Sequence, residues 1–171
     1  AEVVKKAYQE ITILAGGIHV SMAPQLFKES GFDGLVIGEG EKTFLECAQR
    51  LMNGGDLENI PGLFLLRTGG RANFTPRTPL TNEEFNNLPQ PAMDGLRPDI
   101  YRWGFWKKCR AIITSRGCPH RCNFCSVWKM NPGVRMLKPE AVVDMIATIP
   151  TSHVAIIDDN FFVSESRAFE I

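Results

Sequence analysis

Three closely spaced cysteines constrain this chain more than any other feature. Cys118, Cys122 and Cys125 follow Gly117 in the pattern C-x3-C-x2-C. Thiolates are the usual ligands of iron–sulfur clusters, and these short spacers allow one loop to direct three sulfurs at one cluster. Three ligands on a four-iron cluster leave one iron open to a substrate or cofactor, as an open position does on catalytic zinc. The pattern therefore predicts a cluster with one open coordination position.

Two other kinds of metal site fit the cysteines less well. A structural zinc site needs four ligands, but there is no second C-x2-C pair, and His120 lies inside the constrained loop. A closed cluster for electron transfer or redox sensing also needs a fourth ligand, for which Cys109 is the candidate. Otherwise Cys109 and Cys47 are typical of small hydrophobic residues buried in a core.

Charge and composition exclude several classes of function. The 171 residues contain 19 Lys and Arg and 19 Asp and Glu, so the net charge is zero. This balance gives no electrostatic reason to expect a nucleic acid or an anionic membrane as a partner. No apolar run approaches the roughly 18 residues of a membrane-spanning helix, and the N-terminus lacks a secretory signal. Five cysteines, three of them on one loop, favour a reducing compartment, the cytoplasm.

Strands and helices alternate in the first third of the chain. The end of a helix precedes a short strand at 11–14, which Gly16 and Gly17 stop, and a helix is predicted between Pro24 and Gly31. A second strand lies in GLVIGEGE, and a helix follows from Glu41 to Met52. The apolar residues that share one face of this last helix are Phe44, Leu45, Ala48, Leu51 and Met52. Such alternation predicts a parallel sheet covered by helices.

A second α/β unit follows a segment of different character. GLFLLRTGGRANF predicts a hairpin with Gly69 and Gly70 at its turn, and the prolines after it predict an extended linker. Residues 111–117 predict a strand that leads into the cysteines. Pro139 opens a helix, which ends at Pro150 and has Val142, Met145, Ile146 and Ile149 on one face. With a strand at 154–157, this is a β-loop-α-β unit of a parallel sheet or barrel. One such unit cannot close a barrel, and the chain starts at Ala1, so we expect a piece of a longer protein.

Several stretches resemble one enzyme family. TSRGCPHRCNFC resembles the cluster loop of radical S-adenosylmethionine (SAM) enzymes, and ILAGGIHVS, GLVIGEGEKTF, IPGLFLLR and NNLPQPAMD resemble the cobalamin-dependent branch. The resemblance implies an α/β fold: the C-terminal part of a Rossmann-like, flavodoxin-like parallel-sheet domain, then the first β-α-β unit of a TIM-like radical SAM partial barrel. The boundaries expected are 1–56 for the cobalamin domain, 57–108 for the hairpin and interdomain linker, and 109–171 for the barrel.

The resemblance also implies an activity. Cys118, Cys122 and Cys125 would hold a 4Fe–4S cluster, and reductive cleavage of SAM there would give a deoxyadenosyl radical. With cobalamin, the outcome would be methyl transfer, cyclisation or rearrangement of an unactivated small-molecule, lipid or tetrapyrrole-like substrate. Reduced flavodoxin or ferredoxin would supply the electron, and the piece alone would be inactive. The alternatives are a radical SAM enzyme without bound cobalamin and an iron–sulfur electron-transfer or redox-sensing protein.

Four residues would contact SAM by this resemblance. Phe124 matches an aromatic position near the adenine, although packing within the loop also explains it. Asp158, Asp159 and Asn160 stand where many members have Gly-Gly-Glu to contact the methionine amino group. Carboxylates can also hold a cationic amine, and the other interpretation is a polar turn at the end of a strand.

Five residues in the first unit would contact cobalamin. Gly16 and Gly17 allow a close backbone approach to its tail, and Glu39, Gly40 and Glu41 precede a helix whose dipole the acids offset. A strand–helix turn and helix capping explain the same residues without a ligand. The lower-ligand motif Asp-x-His-x-x-Gly is absent, and His19 does not fit it.

The three tryptophans have two interpretations. Trp103, Trp106 and Trp128 surround the linker and the cysteine loop. They could line a cavity between domains or pack there as buried side chains.

Overall fold

The chain forms two α/β units in the computed structural model, residues 1–79 and residues 80–171. Within them the structure describes residues 1–66, 74–93, 95, 97, 100 and 102–171. None of the helices in these ranges has the length and apolarity needed to cross a membrane.

The first unit contains a three-stranded sheet in the order β1-β2-β3. Strands β1 and β2 run parallel, with Leu14 opposite Gly34, and β3 joins β2 antiparallel, with Leu63 opposite Val36. The predicted parallel pairing of the two N-terminal strands is thus confirmed. The elements in chain order are α1 (Glu2–Ala7), β1 (Leu14–Ala15), α2 (Ile18–Met22), β2 (Gly34–Val36), α3 (Glu41–Met52) and β3 (Leu63–Leu65).

The core of this unit surrounds β2. All three residues of the strand are buried, and a Cβ on Gly34 would lie 3.1 Å from side-chain carbons of both Leu14 and Leu63. A larger residue would therefore have to displace packed side chains on both neighbouring strands. The buried cluster consists of Val36, Cys47, Leu57, Ile60 and Leu63, against which Leu14 and Leu65 pack.

Two boundaries predicted in this unit are wrong. The first strand is Leu14–Ala15, not 11–14. The predicted helix from Pro24 is only a single 3₁₀ turn, Pro24–Phe27, and the α-helix α2 lies before it. Ala23 ends α2 with φ −140° and ψ 56°, because a residue that precedes proline is excluded from the α region.

Helix α3 has the predicted bounds, but its apolar face points away from the sheet. Phe44 and Leu45 are more than half exposed, whereas Thr43 and Cys47 are buried. Thr43 faces inward because the helix lies very close to Gly62: a Cβ there would be 2.5 Å from the Thr43 hydroxyl oxygen. Only a small polar side chain fits in this gap, so hydrophobic periodicity selects the wrong face.

Part of the predicted hairpin lies outside the described residues, including its turn at Gly69 and Gly70. Strand β3 is present, and after the gap the Gly62 amide donates to the Thr75 carbonyl at 2.8 Å. Arg77 then binds α3: its Nε lies 2.9 Å from Thr43 Oγ1 and its Nη2 lies 2.5 Å from Glu46 Oε2. Residues 57–79 are therefore part of the first unit.

The second unit contains three pairs of strands: β4–β5 and β7–β8 are antiparallel, and β6–β9 is parallel. In the parallel pair, Cys109 lies opposite His153 and Ile112 opposite Ile156. The predicted β-loop-α-β unit is thus confirmed. Its elements are α4 (Asn82–Asn86), β4 (Arg102–Trp103), β5 (Trp106–Lys107), β6 (Cys109–Ile112), β7 (Ser115–Arg116), α5 (Val127–Met130), β8 (Arg135–Met136), α6 (Pro139–Ala147), β9 (His153–Ile156) and α7 (Glu165–Glu170).

Helix α6 packs as its periodicity predicts. It begins at Pro139, and Val142 is fully buried on the face that also carries the partly buried Met145 and Ile146. The helix ends at Ala147, before the predicted end at Pro150, so the partly buried Ile149 lies beyond it. The strand predicted at 111–117 is wrong, because the chain bends at 113–114. This segment is divided between β6 and β7, which belong to different sheets.

Helix α4 lies within the segment that was predicted to be an extended linker. Thr81 and Glu84 form a capping box at its start. Its two asparagines bind β8 along one edge: Asn82 Oδ1 accepts from the Met136 amide at 2.8 Å, and Asn86 Nδ2 donates to the Met136 carbonyl at 2.9 Å. These side-chain amides take the place of a further strand beside β8.

The Glu46 carboxylate should stabilise the first unit in a pH-dependent way. The hydrogen bond from Arg77 lowers its pKa below the usual 4.5, and Arg50 adds to this effect while burial opposes it. Glu46→Gln should lower the free energy of unfolding by about 1 kcal/mol at pH 7, because two arginines lose an ionised acceptor. The difference from wild type should disappear as the pH falls through the lowered pKa, where the wild-type carboxyl is also protonated.

Urea unfolding at pH 7 and at stepwise lower pH measures this difference. Glu29→Gln, which changes an exposed carboxylate of the same unit, is the matched control and should have no effect. A loss of stability in Glu46→Gln that stays constant down to pH 3 would contradict the assignment.

Candidate functional site

The three cysteines lie on a loop whose two ends are held together. This cysteine loop, residues 117–134, is closed by the β7–β8 ladder, in which Arg116 lies opposite Arg135. Gly117 has φ +87°, and a Cβ there would lie 1.9 Å from the Gly133 carbonyl oxygen. Only glycine combines this backbone conformation with such a close approach.

The three thiols are free and accessible. Cys118 and Cys125 are partly buried and Cys122 is exposed, and the Cys125 amide donates to the Cys122 carbonyl in a tight turn. No three His, Cys, Asp or Glu side chains in the described ranges lie close enough together to hold a metal ion. The fit to a metal group therefore rests on the donor set, because three free thiols within eight residues suit an iron–sulfur cluster.

Phe124 and Trp128 differ sharply in their surroundings. Phe124 is 94% exposed, so packing within the loop does not account for it. Trp128 is partly buried: its indole nitrogen donates to the Cys122 carbonyl at 3.4 Å, and Arg121 and Lys129 lie 5.9 and 5.2 Å from its ring. Trp128 is therefore a packing residue of the cysteine loop. The side chains of Trp103 and Trp106 lie outside the described part of the structure.

The carboxylates that follow β9 reach the start of the cysteine loop. Asp158 Oδ1 accepts from the Thr114 amide at 2.5 Å, and its Oδ2 accepts from the Thr114 and Ser115 hydroxyls at 2.6 and 2.8 Å. Asp159 Oδ2 accepts from the Gly117 amide at 2.9 Å. The next residue in the chain, Asn160, is half-buried. These residues and the cysteines therefore lie at one end of the parallel pair, as predicted.

Arg167 is a residue of this network that sequence reasoning missed. It is 7% exposed, and it donates to the Thr114 and Leu137 carbonyls, each at 2.9 Å. Burial lowers the pKa of its guanidinium, and the charge of Asp158 opposes that effect. An arginine in a short helix carries no local signal for such a role, because its partners lie 53 and 30 residues away.

The candidate cobalamin residues lie at one edge of the first sheet. Because β1 and β2 are parallel, Gly16 and Gly17 leave the sheet at the same edge as the segment 37–41. Ser21 connects the two, since its hydroxyl accepts from the Gly38 amide at 2.9 Å. Gly17 has φ +98°, and nothing lies within 4 Å of the position of a Cβ there. This edge therefore exposes backbone to a ligand.

Of the two acids at this edge, Glu39 precedes α3 and Glu41 is its first residue. Gly40 is its N-cap and makes no side-chain cap, and Glu41 lies in the first turn, where a carboxylate offsets the helix dipole. Glu39 is partly buried. His19 is exposed and packs edge-on against Phe27, with 5.3 Å between the ring centroids.

The two remaining cysteines are buried, as predicted. Cys47 is 1% exposed, and burial raises the pKa of its thiol. Cys109 is 8% exposed and begins β6, whereas the cysteine loop follows the other end of that strand. The four residues of β6 separate these ends by about 10 Å, which argues against Cys109 as a fourth ligand.

Curated proteins with similar sequences are methyltransferases and cyclases. An uncharacterized methyltransferase of Pyrococcus horikoshii is 29% identical over all of this chain and 38% of its own length. An anaerobic magnesium-protoporphyrin IX monomethyl ester cyclase of Rubrivivax gelatinosus is 31% identical over 95% of this chain and 29% of its own length. The cobalamin-dependent radical SAM methyltransferase TokK of Streptomyces tokunonensis is 32% identical over 73% of this chain and 19% of its own length. The chain is therefore similar, over most of its length, to enzymes that include a cobalamin-dependent radical SAM methyltransferase.

The chain spans well under half the length of these relatives. Scanning it against models of protein families gives no match. Solved radical SAM structures share its fold. OxsB with aqua-cobalamin and SAM bound has a TM-score of 0.70 and 20% identity, over 94% of this chain and 24% of that one. TsrM of Kitasatospora setae with cobalamin and a [4Fe–4S] cluster bound has a TM-score of 0.67 and 22% identity, over 98% of this chain and 34% of that one. The predicted fold class, a Rossmann-like region followed by part of a radical SAM fold, is confirmed.

Two glycines of the cysteine loop provide a matched test of its closure. Gly117→Ala should cost about 1–2 kcal/mol for its backbone conformation and about 1–3 kcal/mol more for the collision with Gly133. Gly133→Ala should lose only the stability due to the backbone conformation, because Gly133 has φ +77° but nothing lies within 4 Å of the position of its Cβ. Urea unfolding of both variants measures the difference. Equal destabilisation would mean that the loop ends are not in contact.

Proposed function

We propose that the chain is part of a radical SAM enzyme that binds a 4Fe–4S cluster through Cys118, Cys122 and Cys125. The observation that carries this proposal is the set of three free thiols on one loop at the carboxyl end of a parallel strand. Ligands and catalytic groups of α/β sheets and barrels gather at this end. When bound, the cluster supplies the electron that cleaves SAM to a deoxyadenosyl radical.

Different residues would bind different parts of SAM. Phe124 is exposed and offers a ring face to the adenine. Asp159 and Asn160 lie beside the start of the loop, where a carboxylate and an amide can hold an ammonium group. Asp158 is the other candidate at this position.

Cobalamin would bind at the carboxyl edge of the first sheet. Open space at Gly17 suits a close approach to its tail, and the exposed Gly16 precedes it. The residues of the facing loop are Glu39, Gly40 and Glu41. The neighbouring structures of OxsB and TsrM contain cobalamin. A radical SAM enzyme without cobalamin is the alternative, and equilibrium binding of hydroxocobalamin to the protein separates the two.

The reaction would be methyl transfer, cyclisation or rearrangement of an unactivated substrate. The relatives named above include methyltransferases and a cyclase that acts on a magnesium porphyrin ester. A small-molecule, lipid or tetrapyrrole-like substrate fits this range. Five free cysteines suit a reducing compartment, the cytoplasm.

An acidic electron carrier, reduced flavodoxin or ferredoxin, would reduce the cluster. Around the cysteines the chain is strongly cationic although its net charge is zero: residues 100–139 contain no Asp or Glu. Arg121 and Lys129 are exposed on the loop itself and share the ring of Trp128. The cationic residues of the segment are Arg102, Lys107, Lys108, Arg110, Arg116, Arg121, Lys129, Arg135 and Lys138.

Single cysteine substitutions test the cluster. After anaerobic reconstitution with iron and sulfide, Cys118→Ser, Cys122→Ser and Cys125→Ser should each lose the bound iron and the visible absorbance, because each removes a ligand. Cys109→Ala and Cys47→Ala are matched controls and should retain both. SAM should alter the spectrum of the reduced wild-type cluster. Loss of the cluster in Cys109→Ala, together with a wild-type spectrum that SAM does not change, would favour the electron-transfer protein. A colourless protein that binds one zinc ion would favour a zinc-stabilised module.

Charge reversal tests the electron donor. The double variant Arg121→Glu, Lys129→Glu should be reduced by flavodoxin about tenfold more slowly at low ionic strength, because the loop then repels an acidic partner. Lys28→Glu, on the first unit, should be reduced at the wild-type rate. Reduction by dithionite, which needs no docking, should be unchanged in all three proteins. Equal flavodoxin rates for wild type and the double variant would exclude this docking surface.

A further inference from the structure

Asp158 continues the pairing of β6 and β9 beyond the point where the strands separate. The ladder ends with the Ile157 amide, which donates to the Ile112 carbonyl at 2.9 Å. Beyond this bond, the side chain of Asp158 takes the place of a backbone acceptor, because its Oδ1 accepts from the Thr114 amide. Its Oδ2 accepts from both the Thr114 and the Ser115 hydroxyl. One carboxylate thus fixes the bend between β6 and β7.

Asp158 is itself partly buried, and the two residues that it binds are fully buried. Thr114 is 0% exposed and Ser115 1%, and Arg167 donates to the Thr114 carbonyl from the other side. Both oxygens of Asp158 already accept hydrogen bonds from protein groups. A methionine ammonium would have to compete with three short contacts, whereas Asp159 is exposed and touches the loop itself at Gly117.

We propose that Asp158 is a positioning residue that holds the base of the cysteine loop and so seats the cluster, and that it does not bind the methionine amino group of SAM. The inference rests on the proposed function. Binding of that amino group then falls to Asp159 and Asn160, which follow Asp158 in the chain. The two adjacent carboxylates would have separate roles: one fixes the loop and the other faces the ligand.

Substitution of Asp158 by Asn or by Ala distinguishes a role in positioning the loop from a role in binding the methionine amino group. An asparagine can keep all three contacts: its carbonyl accepts from the Thr114 amide, and its NH₂ donates to hydroxyls that turn to accept. It removes the negative charge that an ammonium ligand needs. Asp158→Asn should therefore bind iron like wild type and bind SAM within about threefold of wild type, since loss of a charged hydrogen bond would cost about tenfold or more.

Asp158→Ala removes the contacts together with the charge. After reconstitution it should lose most of its bound iron or show an altered electron paramagnetic resonance spectrum of the reduced cluster before SAM is added. Because this variant could fail to fold, Ser115→Ala provides a milder test that leaves the carboxylate in place. Ser115→Ala should shift the same spectrum, and circular dichroism should show that the fold is retained.

The outcomes distinguish this inference from the function on which it rests. If Asp158→Asn retains the cluster but loses SAM binding tenfold or more, Asp158 is a ligand and the inference is wrong, while the proposed function stands. An unchanged spectrum in both Ser115→Ala and Asp158→Ala would also overturn it. If wild-type protein binds no iron, or its reduced cluster does not respond to SAM, the proposed function and the inference are wrong together.

Discussion

The contact between the backbones of Gly117 and Gly133 determines where the cysteine loop begins and ends. No side chain fits between Gly117 and the Gly133 carbonyl, so the two ends of the loop meet directly. The β7–β8 ladder continues this contact, and the two asparagines of α4 bind the outer edge of β8. A chain of backbone contacts thus fixes the base of the loop, while Cys122 at its exposed part stays accessible. A rigid base below an open stretch suits a loop that must wrap around a bound group.

Sequence reasoning predicted the elements that have a regular hydrophobic pattern or that begin and end at proline or glycine. Helix α3 has the bounds that its sequence pattern and the glycines after it predict, although not the predicted buried face. Helix α6 begins at Pro139 and buries Val142 on the predicted face. The parallel β6–β9 pair follows from two apolar runs that flank a helix. The signal for each helix lies within its own 12 or 9 residues, where local interactions decide the structure.

The features that it missed depend on partners far away in sequence. The bend after β6 exists because Asp158, 44 residues on, binds Thr114, and an apolar run gives no sign of such a bond. The inward face of α3 is set by Gly62, which lets Thr43 rather than Phe44 approach the sheet. Helix α4 could have been predicted, because Thr81 and Glu84 have the spacing of a capping box. The prolines around it favoured an extended linker instead. Tertiary contacts of this kind overrule local pattern.

Both units stabilise the turn that follows a strand in the same way. In each, a glycine with positive φ follows the strand, and a side chain from a neighbouring element accepts its amide: Ser21 accepts from Gly38, and Asp159 accepts from Gly117. A backbone amide in such a turn has no ladder partner, so an unsatisfied turn would cost about 1–3 kcal/mol if it became buried under a ligand. Satisfying these amides from within the chain allows each turn to be covered without that loss. The two units have unlike sheets, so the shared arrangement follows from the geometry of a glycine turn after a strand and not from one common fold.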